Sequence, residues 1–296
     1  MRSRTWSTAS SRECEGDVAA LLRVMRATDG AELPGNTTGH GPPLVLCHGG
    51  PGLVDYLGPV AAMIADLATV HRYDQRRTGP HTVARYVEDL EELRTYFGYD
   101  RWTVGGHSWG ATLALCHALE HADRVTGLLY LNGTGLGRAW KPENDREEER
   151  RLTLHEHERQ LFLKAAARTP GEDREYRILC AIPDFADRLN APALATALVD
   201  AQPTPNYEAN RALSEELKTW DEDELVERCH DLDLPVLVIG SELDPRPTWA
   251  VDSMVDALPD VHRVELPGVG HLPWLEAPEV LRDVLRAGLP RLQAPG

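Results

Sequence analysis

Residues 104–115 read VGGHSWGATLAL and join a β-prone run to a helical run. The apolar residues 102–104 predict a buried strand, and the residues that follow Gly110 have helical character. Between the two lies the pattern G-x-S-x-G, formed by Gly106, Ser108 and Gly110. A serine at a sharp strand-to-helix turn needs a strained backbone, and flanking glycines let strand and helix approach each other. The pattern therefore predicts a serine hydroxyl at the carboxyl edge of a sheet, beside the N–H groups of a helix N-terminus.

The composition indicates a soluble, acidic protein. The chain has 296 residues, of which 42% are hydrophobic, enough for the core of one large domain or two ordinary ones. No apolar run is long enough to cross a bilayer. The net charge of −16 at pH 7 disfavours nucleic acid and anionic membranes as partners, because both are polyanions. Five scattered cysteines without C-x-x-C spacing favour reduced thiols in the cytoplasm and argue against a zinc site.

Buried strands and amphipathic helices alternate after a short polar tail. Residues 1–16 are rich in Ser and Arg and lack the apolar segment of a secretory signal, so we expect a flexible tail. Residues 18–27 and 31–33 predict a β-hairpin, because Asp29-Gly30 tolerates the positive φ of a tight turn. Further strands are predicted at 44–47, 69–73, 125–131, 235–240 and 261–266. Helices are predicted at 56–67, 82–97, 248–258 and 276–289.

The alternation stops between residues 135 and 231. This segment has no comparable buried-strand run, contains the charged stretch 143–159 and is interrupted by prolines, which predicts a helical insertion. We therefore expect an α/β fold with a mostly parallel central sheet, helices on both faces and a helical cap. The expected core comprises residues 17–134 and 232–296, and the expected cap comprises residues 135–231.

Two later loops supply the partners that a nucleophilic serine needs. Ser108 requires a base to take its proton and a carboxylate to orient that base. Asp244 follows the predicted strand 235–240 in SELDPRP, and His271 follows the strand 261–266 in PGVGHLPWLE. Both lie at carboxyl ends of parallel strands, and their order along the chain is that of α/β-hydrolase triads. The three residues together predict a Ser-His-Asp catalytic triad.

Other residues compete for these roles. Glu242 is an alternative acid, and His48 and His107 are alternative bases. His107 directly precedes the serine and cannot easily turn back onto it, while His48 is better placed to orient its own glycine loop. A chance serine in an ordinary Gly-rich turn is the last alternative, which the order of the three residues disfavours.

Four features resemble the proline iminopeptidase group of α/β-hydrolases. They are HGGPG at residues 48–52, YDQR at residues 73–76, the nucleophile motif with Trp after the serine, and the positions of the Asp and the His. The similarity covers residues 42–131 and 235–278. HGGPG is specific to that group, whereas GHSWG fits many hydrolases.

This resemblance implies an oxyanion hole next to the serine. The backbone N–H groups of Gly50 and Trp109 would stabilise the developing negative charge, each by on the order of 3 kcal/mol in the transition state. His48 and Gly49 of the same loop are expected to border the substrate. No metal or cofactor is implied.

The sequence departs from that group where the substrate would bind. Arg77 and His81 replace a Gly and a Ser of its D-Q-R-G-x-G-x-S motif, and His107 stands where Gly is frequent. The aminopeptidases of the group recognise a free α-amino group with carboxylates of the cap, and this cap has no matching Trp-Glu pair. The candidate acids in the cap are Glu172, Glu175, Asp184, Glu208 and Glu215.

A polar, aromatic stretch between prolines is the best candidate for the roof of the pocket. A charged α-amino group is costly to bury unless a carboxylate meets it. Most acids of the insertion have the spacing of helical salt bridges, whereas the stretch around Tyr207 and Glu208 does not. We expect these two residues to line the roof with Trp140 or Trp220, and Glu208 to be the carboxylate.

The sequence as a whole predicts a cytoplasmic serine hydrolase that forms an acyl-enzyme. The expected substrate is a small molecule or short peptide, foremost an N-terminal amino acid amide. An esterase, thioesterase or lactonase acting on a small metabolite is the alternative, and a catalytically idle ligand-binding protein is a remote one. The oligomeric state is left open.

Overall fold

One mixed β-sheet carries the fold, and the computed structural model describes it within residues 23–293. Its strands are β1 (Arg23–Arg26), β2 (Glu32–Gly39), β3 (Pro43–Cys47), β4 (Thr69–Tyr73), β5 (Trp102–His107), β6 (Val125–Leu131), β7 (Val236–Ser241) and β8 (Val261–Leu266). Their order across the sheet is β1-β2-β4-β3-β5-β6-β7-β8. The pairs β1–β2 and β2–β4 are antiparallel, and the other pairs are parallel. The predicted fold class is confirmed.

Helices cover both faces of this sheet. They are α1 (Gly58–Met63), α2 (Val83–Phe97), α3 (Trp109–Glu120), α4 (Lys141–Arg151), α5 (Leu154–Ala165), α6 (Pro170–Ala181), α7 (Ala191–Asp200), α8 (Tyr207–Glu216), α9 (Glu222–His230), α10 (Asp252–Ala257), α11 (Pro273–Glu276) and α12 (Pro278–Leu292). Leu90 of α2 and Leu113 of α3 belong to the core of one face. Val60 of α1 and Leu285 of α12 belong to the core of the other. Within residues 23–293, no helix combines the length and the apolar character that a membrane span requires.

The strands build both cores because their side chains alternate between the two faces. In β3, Val45 joins the core under α2 and α3, whereas Leu44 and Leu46 join the core under α1 and α12. In β6, Tyr130 and Leu129 divide in the same way. A parallel strand buried on both faces is therefore apolar throughout, which is why these runs could be recognised in the sequence.

The first hairpin is longer than predicted. Residues 18–22 of its first strand lie outside the described residues. Its second strand continues to Gly39 instead of ending at Leu33, because residues 35–39 pair antiparallel with β4. This extension of the strand could not be recognised in the sequence, because its residues are polar or small and their side chains are only half buried.

Two predicted helices are divided in the structure. The segment 248–258 begins with a 3-10 turn at residues 248–251 before α10. The segment 276–289 consists of the end of α11 and of α12, which extends to Leu292. Pro278 explains this second break, because proline supplies no N–H for a preceding turn and is favoured at the start of a new helix.

Helices α4 to α9 occupy the chain between β6 and β7. Thr153 and Thr169 begin α5 and α6 with capping boxes, in which the Thr side chain and a Glu three residues later satisfy each other's backbone N–H groups. Leu163 and Phe185 of this segment are fully buried and extend the apolar cluster around α1 and α12. The segment therefore packs on the core that α1 and α12 cover.

Candidate active site

Ser108 lies at a strained turn between β5 and α3. Its backbone has φ 57° and ψ −123°, a left-handed conformation that residues with a side chain rarely adopt. A Cβ on Gly106 would lie 2.1 Å from the carbonyl oxygen of Gly110, and a Cβ on Gly110 would lie 2.0 Å from that of Cys47. Both glycines are therefore required for strand, turn and helix to approach this closely.

Asp244 and His271 form a buried pair on the loops after β7 and β8. The distance between His271 Nδ1 and Asp244 Oδ2 is 2.5 Å. Burial would raise the pKa of Asp244, but the charges of His271 and Arg246 outweigh it and lower that pKa to about 2. Asp244 is thus an ionised acceptor, and it holds the proton of the imidazole on Nδ1. Glu242, the alternative acid, instead accepts a hydrogen bond from the N–H of Gly268.

The loop of His271 is fixed against the turn that contains Ser108. The backbone N–H of Ser108 donates to the carbonyl oxygen of Leu131 at 3.0 Å. The next residue, Asn132, donates from Nδ2 to the carbonyl oxygen of His271 at 3.0 Å. The rings of His107 and His271 have centroids 4.5 Å apart. These contacts place the serine and the His-Asp pair at the same edge of the sheet.

His107 is fully engaged and cannot serve as the base. Its Nε2 lies 2.8 Å from the carbonyl oxygen of His271 and must donate, because a carbonyl only accepts. Its Nδ1 therefore accepts from the hydroxyl of Tyr56, at 2.8 Å. Burial lowers the pKa of His107 well below the usual value, which agrees with a neutral ring.

Two free backbone N–H groups lie beside Ser108. The N–H of Gly49 donates to Tyr56 Oη at 2.8 Å, so it is not available to a substrate. Gly50, with φ 53°, follows it, and a Cβ on Gly49 would lie 2.8 Å from the Cβ of Ser108. Within residues 23–293, the N–H groups of Gly50 and of Trp109, the first residue of α3, have no protein acceptor. Both are therefore candidate donors to an oxygen atom of a ligand.

The sequence pattern of the alpha/beta hydrolase fold family matches residues 42–278. The chain belongs to this family.

Similarity to individual α/β-hydrolases is strongest over short stretches. The chain is 38% identical to a proline iminopeptidase of Xylella fastidiosa over 113 residues, 35% of this chain and 36% of that protein. It is 25% identical to a proline iminopeptidase of Clostridioides difficile over 267 residues, 82% of this chain and 88% of that protein. The first of these matches thus spans about a third of the relative's length. The chain is also similar to the crystal structure of a proline iminopeptidase of Mycobacterium smegmatis, with TM-score 0.67, 23% identity and coverage of 92% and 99%. At that identity, the structural likeness concerns the fold alone.

His48 of this α/β-hydrolase holds its loop and does not face the site. The ring has no exposed surface. Its Nδ1 lies 3.1 Å from the carbonyl oxygen of Gly49, and its Nε2 accepts from the N–H of Gln75 at 3.2 Å. This placement is at odds with the expected substrate contact by His48. It also excludes His48 as the base.

A charged pair that the sequence did not reveal adjoins the His-Asp pair. Arg246 Nη1 donates to Asp184 Oδ1 at 2.5 Å and lies 3.4 Å from Asp244 Oδ1. The carbonyl oxygen of Asp184 accepts from the N–H of His271 at 2.7 Å. Asp184 thus connects the segment between β6 and β7 to the His271 loop, and no local sequence signal indicated its partners.

The other candidate acids of the α4 to α9 segment are engaged elsewhere or exposed. The engaged acids and their partners are Glu172 with Thr169, Glu175 with Arg159, and Glu215 with Lys218. Glu208 is exposed on α8. Burial lowers the pKa of His81, and the nearby charge of Glu208 opposes that shift. Among the five acids, Asp184 is the one in contact with the His271 loop.

Trp220 lies away from Ser108, against the expectation that it lines the roof. It borders a groove together with Leu119, in the last turn of α3. Ser108 immediately precedes the first turn of the same helix, and eleven residues of helix span about 16 Å. The connection from α8 to α9 therefore takes Trp220 to the far end of α3.

Tyr207 and Trp140, which were also predicted for the roof, both donate hydrogen bonds to groups of residues 135–231. Tyr207 is 40% exposed, and its hydroxyl donates to Asp173 Oδ1 at 2.7 Å. Trp140 is half buried, and its Nε1 donates to the carbonyl oxygen of Gly137 at 2.9 Å. Both contacts lie within residues 135–231, and the place of these two side chains in the roof of the pocket stays a prediction.

The ionised Asp244 predicts a stability that depends on pH. Its folded pKa of about 2 is below the ordinary value of 3.8, so its contribution is present above pH 4 and is lost as the pH falls toward 2. The shift corresponds to about 2 kcal/mol. In urea titrations at pH 2 to 4, the difference in unfolding free energy between the natural protein and Asp244→Asn measures this contribution. It should shrink by that amount between pH 4 and 2, and a constant difference throughout would contradict the assignment.

Proposed function

We propose that this α/β-hydrolase is a serine hydrolase in which Ser108 is the nucleophile and His271 the base. The strained Ser108 turn beside the buried His271–Asp244 pair carries this proposal. Ser108 Oγ attacks a carbonyl carbon while His271 Nε2 takes its proton, and the N–H groups of Gly50 and Trp109 stabilise the oxyanion. His271 then protonates the leaving group. In the second half of the reaction, His271 takes a proton from water as the water attacks the acyl-enzyme, and it returns that proton to Ser108 Oγ. Asp244 stabilises the imidazolium throughout.

Residues 135–231 act, in this proposal, as a cap over the site. Three backbone or side-chain contacts support this role. Asn206 donates from its N–H to the carbonyl oxygen of Gly52 at 2.7 Å, and Asn210 Nδ2 donates to that of Pro51 at 3.0 Å. The third is the contact of Asp184 with His271. The segment is thereby tied to both the glycine loop and the histidine loop.

The substrate we propose is an N-terminal amino acid amide or a short peptide with a free α-amino group. The names of the relatives support this assignment, although their identity is low or limited to a third of the chain. The motif HGGPG supports it as well. Glu208 would be the carboxylate that meets the amine, since it lies on α8 between the two residues that contact the glycine loop.

One observation favours an ester, thioester or lactone as the substrate instead. Among the candidate acids of residues 135–231, Asp184 contacts the His271 loop, and its carboxylate already has the guanidinium of Arg246 as its partner. Glu208, the alternative, is exposed to solvent. A site without a free inward carboxylate has no compensation for a desolvated ammonium group, but it accepts a neutral ester without this cost.

Paired assays separate the two substrate classes. We expect turnover of a prolyl arylamide, and about 10-fold or greater loss of kcat/KM for that amide in Glu208→Gln, because a charged hydrogen bond contributes about 1.5–3 kcal/mol. Hydrolysis of a short acyl ester should change little. Glu215→Gln is the matched control, since it removes a carboxylate of the same helix that is paired with Lys218. Equal amide turnover in Glu208→Gln and the natural protein would leave the ester or lactone assignment.

A further inference from the structure

Gln75 bridges the two loops that would form the oxyanion hole. It follows β4 and is 3% exposed. Its Nε2 donates to the carbonyl oxygen of His48 at 2.7 Å, and its Oε1 accepts from Trp109 Nε1 at 2.9 Å. We infer that Gln75 is a positioning residue, which fixes the distance between the N–H groups of Gly50 and Trp109. This inference rests on the proposed function.

The bridge acts on each donor over a short length of chain. The carbonyl of His48 is two residues before the N–H of Gly50. The conformation of this loop is further fixed because Nε2 of the His48 ring accepts a hydrogen bond from the N–H of Gln75. On the other side, the bond reaches the side chain of Trp109, the residue whose own backbone N–H is the second donor. A shift of Gln75 would therefore change the separation of the two donors.

The chemistry of the bridge suits an amide. One end must donate to a carbonyl and the other must accept from an indole N–H, and the two ends of an Asn or Gln side chain provide this combination. A Met side chain at position 75 is similar in length but would leave the carbonyl oxygen of His48 without a donor and the indole N–H of Trp109 without a strong acceptor. The side chain is buried, so water cannot replace either bond.

Gln75 is itself held by its neighbours in the YDQR run. Arg76 is fully buried, with its Nε 2.7 Å and its Nη2 2.6 Å from the carboxylate of Asp89 and its Nη1 2.6 Å from Asp29. Asp74 Oδ1 accepts from the N–H of Asp55 at 2.7 Å. The bridge is therefore attached to a fixed segment, which is the property that a positioning residue needs.

Loss of the bridge should affect the transition state more than the bound substrate. The two N–H groups meet full negative charge only when the oxyanion forms, in acylation and in deacylation alike. A displacement of about 1 Å at such a site costs on the order of 100-fold in rate. We expect Gln75→Met and Trp109→Phe each to lower kcat by about 10- to 100-fold and to leave KM within about threefold. Trp109→Phe keeps an aromatic ring and the backbone N–H, and it removes the indole donor together with the volume of one fused ring.

The test measures p-nitrophenyl acetate hydrolysis and inhibition by phenylboronic acid, which forms a tetrahedral adduct with a nucleophilic serine. The boronate Ki should rise in parallel with the loss of kcat. The double variant Gln75→Met/Trp109→Phe should be no less active than the less active of the two single variants, because either change disconnects the same bridge. Tyr86→Phe is the matched control, since it removes a buried hydroxyl beside the ring of Trp109 and leaves the bridge intact.

The outcomes separate this inference from the function on which it rests. If the natural protein shows no hydrolysis that depends on Ser108, the proposed function fails and the inference falls with it. If hydrolysis depends on Ser108 but both variants keep kcat and the boronate Ki within threefold, the inference alone is overturned. A rise in KM without a change in the boronate Ki would also overturn it. Should Gln75→Met fail to fold, Trp109→Phe decides by the same criteria.

Discussion

Ser108→Ala and His271→Ala should each lower kcat by on the order of 10⁴- to 10⁶-fold, with each variant folded. Without the hydroxyl there is no acyl-enzyme, and without the imidazole the hydroxyl keeps its proton. The structure supports a shared role, because the His271 loop is bonded through Asn132 to the strand edge where Ser108 lies. Steady-state hydrolysis of a short acyl ester and circular dichroism of both variants test this expectation.

The double variant distinguishes a shared step from two separate effects. Because the two residues act as one unit, Ser108→Ala/His271→Ala should be little worse than either single variant. Losses that multiply would show that the two side chains serve different steps. Ser253→Ala is the matched control, since that hydroxyl bonds Glu222 outside the site and its loss should leave kcat within about twofold.

The elements that could be predicted from the sequence depend on local pattern. The strands β3 and β6 are apolar throughout because both faces are covered, and continuous runs of this kind are recognisable without knowledge of their neighbours. Ser108 was identifiable because the close approach at its turn excludes any side chain at Gly106 and Gly110. Asp244 and His271 followed from their place after strands, where a parallel sheet gathers its loops at one edge.

The contacts that tie distant loops together could not be predicted in this way. Gln75 bonds His48 and Trp109 across more than 25 residues of sequence, and nothing adjacent to Gln75 identifies these partners. Asp184 and Arg246 are 62 residues apart and meet only because the α4 to α9 segment returns to the His271 loop.

The sequence also could not predict the environment of residues for which two environments were plausible. His48 belongs to a glycine loop that borders the site, yet its ring turns into the protein and is completely buried. Trp220 is an aromatic residue of the insertion, yet the course of the chain before α9 places it beside the far end of α3. For His48 the backbone position was consistent with the expectation and the direction of the side chain was not, whereas for Trp220 the course of the chain itself was not.

Asp244→Asn should lower kcat on the order of 10⁴-fold, although the substitution is nearly isosteric. In the structure, the carboxylate accepts the proton on His271 Nδ1 and also the backbone N–H of Arg246, at 2.9 Å. An amide whose NH₂ group faces the ring favours the opposite tautomer, with the proton on Nε2. That nitrogen then cannot accept the proton of Ser108, and the imidazolium that forms in the transition state loses its counter-charge.

Glu242→Gln is the matched control, since Glu242 is the other acid in the same loop. Its carboxylate bonds the N–H of Gly268 rather than His271, and an amide oxygen can keep that bond. Activity of Glu242→Gln should therefore stay within a few-fold of the natural protein, while Asp244→Asn loses nearly all of it. A damaging Glu242→Gln beside a mild Asp244→Asn would show that the acid had been assigned to the wrong residue. Because Asp244 Oδ2 lies 2.5 Å from His271 Nδ1, we expect the severe loss of activity in Asp244→Asn.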